Sequence, residues 1–178
     1  IIKYMAHLVQ HPEINPIVAL ILFSEEHGCG KNNFINLLKK LVGEANAVEY
    51  NTCATFMEKH DTRRSNKLLV AINEVVNLNN ASQFNELKSI ITSITMSVNP
   101  KGKAMYELDD NSRKIFTTNL LHTLSQIKKA DRRFYITQFN AIYAKMNNHK
   151  DRVAYWKQFM KYLADVDVIQ ALFDYLAA

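Results

Sequence analysis

The run Ile17-Val18-Ala19-Leu20-Ile21-Leu22-Phe23, with Gly28-Cys29-Gly30 close behind it, constrains this chain more than any other feature. A continuous apolar run rich in branched residues fits a strand buried on both faces, as in a parallel sheet. Ser24 to Gly30 reads as a turn. Phe34, Ile35, Leu37, Leu38, Leu41 and Val42 then recur at helical spacing, and Gly43 ends the pattern as a C-terminal cap. The segment is therefore strand, glycine turn, helix.

The rest of the chain extends that alternation. Ile1 to Gln10 carries a helical stripe through Ile1, Met5, Leu8 and Val9, and the two prolines of His11 to Pro16 stop it. Val48 to Lys59 reads as a short strand and a helix, Lys67 to Ile72 as a second buried strand, and Phe84 to Ile94 as a helix. Thr95 to Val98 and Ala104 to Leu108 flank Asn99-Pro100-Lys101-Gly102-Lys103, the signature of a hairpin with a basic tip. Lys114 to Asn119 is a third strand and Arg133 to Phe139 a fourth. Helices around Asp151 to Leu163 and Asp167 to Leu176 close the chain. Tyr155, Trp156, Phe159, Met160 and Leu163 lie at core-packing spacings there and read as core or subunit interface rather than as base-stacking residues. Strands alternating with helices predict a layered α/β fold.

With 178 residues, one compact domain is expected: a helix and linker over 1–16, a core over 17–140, and closing helices over 141–178. No apolar run approaches the ~18 residues of a membrane span. Cys29 and Cys53 form no metal-spaced pair with each other or with a histidine, so a reduced, intracellular protein without membrane association is expected. A first residue of Ile rather than Met suggests a piece of a longer polypeptide. The net charge is +5, and residues 100–133 hold eight basic side chains against four acidic ones. That bias favours a polyanion partner over a solvated basic face.

Four segments carry chemistry. Gly28 and Gly30 let the backbone turn so that successive N–H groups cradle phosphates, the following helix adds its positive end, and Lys31 adds a point charge. The full phosphate-loop pattern fails at both edges, with Glu25 at the first glycine position and Asn32 where Ser or Thr would hold Mg²⁺, so a plain tight connection is the alternative. Asn32 has a carbonyl oxygen able to hold the metal directly or through water. The strand Lys67 to Ile72 ends in Asn73-Glu74, where Glu74 is either a water-polarising base or a polar strand end meeting solvent. Thr118-Asn119 ends the next strand, with Asn119 either a positioner of water or a turn former. Asp131-Arg132-Arg133-Phe134 offers solvated charge or an arginine finger.

Taken in order, these segments resemble the superfamily 3 helicases, AAA+ ring motors of DNA viruses, phages and mobile elements. The primase-helicase branch typified by poxvirus and phage replication proteins is the most similar. The residues that carry the resemblance are Ser24-Glu25-Glu26-His27-Gly28-Cys29-Gly30-Lys31-Asn32 as Walker A and Leu68-Leu69-Val70-Ala71-Ile72-Asn73-Glu74 as Walker B. Leu87 through Lys103 resembles the family's extra motif with its DNA-contacting hairpin. Ile115-Phe116-Thr117-Thr118-Asn119 resembles the sensor motif. The resemblance implies an AAA+ P-loop NTPase core, a mostly parallel sheet flanked by helices, with a β-hairpin insertion and C-terminal helices. It implies ATP bound by Gly28, Cys29, Gly30, Lys31, Asn32 and Asn33, and Mg²⁺ held by Asn32, Asn73 and Glu74. Glu74 would polarise the hydrolytic water and Asn119 would sense the γ-phosphate. Arg133, with Arg132 as second choice, would reach a neighbouring subunit's site. Lys101 and Lys103 would grip single-stranded DNA.

The function so implied is ATP-driven translocation on single-stranded DNA by a homo-oligomeric ring, a hexamer, beside an upstream primase or polymerase domain of the same polypeptide. Asn32 and Asn73 favour one rival, a degenerate AAA+ module that holds nucleotide to organise a replication complex. A loader or transcription activator is a further rival, opposed by the short hairpin before the sensor strand.

Overall fold

The computed structural model describes residues 1–73, 81–120, 127–128, 130–142, 144–145 and 148–178. Five parallel strands form its main sheet: β1 (Ala19–Phe23), β2 (Ala47–Tyr50), β3 (Leu69–Ile72), β6 (Arg113–Thr118) and β7 (Phe134–Gln138), in the order β2-β3-β6-β1-β7. β4 (Thr95–Val98) and β5 (Tyr106–Asp109) form a separate antiparallel hairpin. The helices are α1 (Ile2–Gln10), α2 (Lys31–Val42), the one-turn α3 (Cys53–Phe56), α4 (Ala81–Thr92), α5 (His149–Ala164) and α6 (Val166–Ala177).

Strand side chains alternate between two cores because successive Cβ atoms point to opposite faces. Ala19, Ile21, Val70, Ile72 and Phe116 face a core completed by Tyr50, Phe56, Phe84, Leu87 and Ile91. Leu20, Leu22, Leu69, Ala71 and Ile115 face the opposite core, closed by Met5 and Leu8 of α1, Ile35, Leu38 and Leu41 of α2, and Leu176 of α6. A parallel sheet covered on both faces explains why β1 and β3 read as unbroken apolar runs, while β6, equally buried, carries Arg113, Lys114, Thr117 and Thr118. The architecture is α/β, a Rossmann-like sheet between helical layers.

Some boundaries differ from the sequence reading. Ile17 is outside β1, 45% exposed, with a φ of 51°. Asn15 explains the turn: its Oδ1 accepts from the Ile17 N–H, and its Nδ2 donates to the carbonyls of Ser93 and Asp110. Ile94 lies beyond α4 and is exposed. β7 is an edge strand with Tyr135 and Ile136 open to solvent.

The charge reading also needs correction. Arg113 and Lys114 are buried. The Lys114 ammonium donates to Asp110 at 2.9 Å, and Arg113 donates to the carbonyls of His7, His11, Pro12 and Asn111, pinning the segment after α1 to β6. Arg133 is paired with Asp131. The basic bias of residues 100–133 is thus partly internal, and among the described residues its exposed share rests on Lys101, Lys103, Lys128 and Arg132. No helix among the described residues is long and apolar enough to cross a membrane.

Candidate functional site

Register places the carboxyl ends of the inner strands together. Phe23 pairs with Thr118, Ile72 with Phe116, and Tyr50 with Ile72. The residues that follow, Ser24 to Gly30, Asn119, Asn73 and Asn51, therefore meet at one edge of the sheet. β1 lies beyond β6 and β3 from β2, its successor in the chain, and open α/β sheets bind ligands at such crossings. A cavity of about 650 Å³ opens there, lined by His27 through Asn33, Asn51, Asn73, Thr117, Asn119 and Trp156.

The turn is built from inside. Gly28 and Gly30 take φ values of 74° and 94°, a left-handed backbone that side-chain-bearing residues rarely adopt. Ser24 Oγ donates to the Glu26 carbonyl, Cys29 Sγ points at the same oxygen, and Asn119 Nδ2 donates to the carbonyls of Ser24 (2.7 Å) and Glu26 (3.1 Å). From outside, Lys145 pairs with Glu26 at 2.9 Å. α2 then starts at Gly30 with no side-chain cap and no acid in its first turn. Its first amides lack intrahelical acceptors and sit at the positive end of the helix dipole.

Lys31 is the electrostatic centre. Its side chain is 8% exposed, its Nζ donates to the neutral Ser24 Oγ at 2.5 Å, and no carboxylate among the described residues pairs with it. Burial pushes its pKa below the usual lysine value, with the Cys29 thiol opposing. A buried cation without a counter-ion, beside uncapped helix amides, suits an anion. Asn73, by contrast, is tied down on one side: its Nδ2 donates to Glu49 Oε1 at 2.6 Å. Its Oδ1 is buried without a hydrogen-bond partner among the described residues, an acceptor suited to a cation or a water. Among the described residues no cluster of His, Cys, Asp or Glu could hold a metal by itself.

The cavity thus gathers Gly28, Cys29, Gly30, Lys31, Asn32, Asn33, Asn73 and Asn119. Glu74 lies outside the described residues. Arg132 and Arg133 are at the other edge of the sheet: Phe134 pairs with Ala19, the first residue of β1, so a strand length of roughly 16 Å separates them from the turn. Asp131 holds Arg133 through contacts of 2.8 and 3.1 Å, while Arg132 is exposed. Lys101 and Lys103 are exposed at the hairpin tip, where the Lys103 N–H closes a turn onto the Pro100 carbonyl.

Asn51 went unflagged by the sequence reading, Thr117 was named only within the sensor-like segment, and Trp156 was read as core or subunit interface. Of the core-or-interface stripe on α5 only Leu163 is buried, and Trp156 lines the cavity, where a Cβ placed on Gly30 would lie 2.6 Å from Trp156 Cη2.

Residues 22–133 match the model of a family of unknown function, DUF5906. The chain belongs to that family. None of the curated proteins matches it. Among solved structures it is similar to an apo structure of the NrS-1 C-terminal region, with a TM-score of 0.71 and 24% identity, over 99% of this chain and 45% of that one. An A-form apo structure of the same region gives 0.67 and 26%, over 94% and 41%. The chain spans less than half the length of these structures. What this DUF5906 chain shares with them is the fold.

Proposed function

We propose that this chain is the ATP-hydrolysing helicase domain of a viral, phage or mobile-element replication protein, a P-loop AAA+ core that translocates on single-stranded DNA as a ring. The observation that carries the reading is Lys31, a buried cation without a carboxylate partner among the described residues, between a left-handed glycine turn and an uncapped helix start. In this reading Lys31 and the amides of Gly28 to Asn33 hold the phosphates of ATP. The side-chain oxygens of Asn32 and Asn73, with Glu74, would hold Mg²⁺ directly or through water, and the metal would neutralise phosphate charge. Glu74 polarises the attacking water. Asn119 braces the turn and reports on the γ-phosphate. The arginines act on a neighbouring subunit, since neither reaches the cavity of its own chain. Arg132, which no aspartate among the described residues holds in the way Asp131 holds Arg133, is the better finger, reversing the preference drawn from the sequence. Lys101 and Lys103 grip DNA phosphates.

A second reading has its own observation. The residues lining the cavity include no carboxylate among those described, and Asn73 stands where paired acids would hold the metal. That favours a module which binds nucleotide to organise a replication complex. ATP turnover with and without single-stranded DNA separates the two. The motor predicts DNA-stimulated turnover that Glu74→Gln abolishes while binding persists. Nucleotide binding without turnover, in the oligomeric protein with DNA present, would leave the module.

A further inference from the structure

The cavity is lined by asparagines, Thr117 and the glycine turn, which suit phosphates and ribose, and its two flat side chains are the small imidazole of His27 and the larger indole of Trp156. Trp156 has the wider of the two faces. Its ring reaches the cavity from α5, a helix that is otherwise largely solvent-facing, with Leu163 as its buried residue. The rings of Tyr155 and Phe159 stand nearly perpendicular to it at centroid distances of 5.0 and 5.9 Å, which orients the indole before any ligand arrives. Its outer edge packs on Gly30, so the aromatic plane sits beside the residue from which the phosphate-facing amides begin.

We propose that Trp156 is the base-stacking wall of the nucleotide site. The proposal rests on the phosphate-site reading of Lys31 and deepens it: the chain takes nucleoside triphosphates rather than bare polyphosphate, and purines over pyrimidines because of their larger stacking face. A stacking indole recognises a π-face and makes no demand on the base's hydrogen-bonding edge. Preference between adenine and guanine therefore has to come from other residues.

The chain contains one tryptophan, so its indole fluorescence reports on this position alone. The experiment titrates the protein with sodium tripolyphosphate, ATP and CTP, each with Mg²⁺, following indole emission and, by calorimetry, affinity. ATP should quench the emission strongly, CTP less, and tripolyphosphate little while still binding. Trp156→Ala should weaken ATP by about 5- to 150-fold, the span of about 1–3 kcal/mol per stacked base, and leave tripolyphosphate within about twofold. Trp156→Phe, which keeps a ring, should retain most of the ATP affinity. Equal losses for ATP and tripolyphosphate in Trp156→Ala would make the indole a prop for Gly30 and overturn the stacking proposal alone. Unchanged ATP affinity in a folded Trp156→Ala, or a Phe variant as weak as the Ala variant, would overturn it too. Failure of the wild type to bind tripolyphosphate would contradict the phosphate site itself, and the stacking wall with it.

Discussion

At the residue scale, the site depends on where polar atoms are spent. Asn119 gives its amide to two carbonyls of the glycine turn, so Asn119→Ala should loosen the turn as well as remove the proposed sensor. Nucleotide affinity should then fall roughly tenfold, the effect of losing one or two hydrogen bonds at a braced site. Unchanged affinity with lowered turnover would assign Asn119 to sensing alone. Lys31 makes a pH prediction. Burial lowers its pKa, so the ammonium is lost below the 10.5 of an ordinary lysine, and ATP affinity should decline as pH rises through the alkaline range. Bound phosphate favours the charged form, so binding above that lowered pKa should take up a proton, measurable by calorimetry in buffers of different ionisation enthalpy. Gly28, Gly30 and Lys31 were legible because spacing alone encodes a turn before a helix. Asn51, Thr117 and the Glu49 carboxylate behind Asn73 were not, since they reach the site only through the register of three strands. Trp156 was misread because helical spacing cannot say whether a stripe meets a core or a cavity.

At the element scale, β4–β5 is a short hairpin on a fixed root. Asn15 binds the carbonyls of Ser93 and Asp110, the Asp110 N–H donates to the Ile94 carbonyl, and the Asp110 carboxylate takes Ser112 and Lys114. Both members of the Asp110–Lys114 pair are buried, so Asp110→Ala leaves an ammonium without its partner. The expected loss is about 3–5 kcal/mol in denaturant unfolding. A loss under about 1 kcal/mol would mean that water reaches Lys114 once the aspartate is gone. The tip should behave independently of the root. Replacing Lys101 and Lys103 by Ala should reduce the salt slope of single-stranded DNA affinity by ~0.7 for each phosphate no longer neutralised, with basal ATP turnover kept. An unaltered slope would move the DNA grip off the hairpin. The hairpin was readable from the Pro-Lys-Gly-Lys turn, and β1 and β3 from their branched apolar runs. Strand order was not, because β6 inserts between β3 and β1 through pairings far apart in sequence.

At the scale of the whole molecule, the two ends of the sheet do different work. The carboxyl edge holds Lys31 and its cavity; the amino edge holds Arg132, roughly a strand length away. If the proposed arginine finger is right, a chain arranged in this way would complete its site only with a neighbour. Turnover per chain should therefore rise with concentration, and mixing Lys31→Ala with Arg132→Ala should restore activity that neither has alone, because the mixture contains interfaces with an intact lysine and an intact finger. An arginine finger is worth ~10³ or more in rate, so the effect is large. All of this presupposes that the turn binds nucleotide phosphates, which calorimetry of Mg-ATP binding to the wild type beside Lys31→Ala tests most directly. The account predicts saturable binding to the wild type at one site per chain and its loss, in a folded protein, when the lysine is removed. Equal affinity for the two proteins would contradict it.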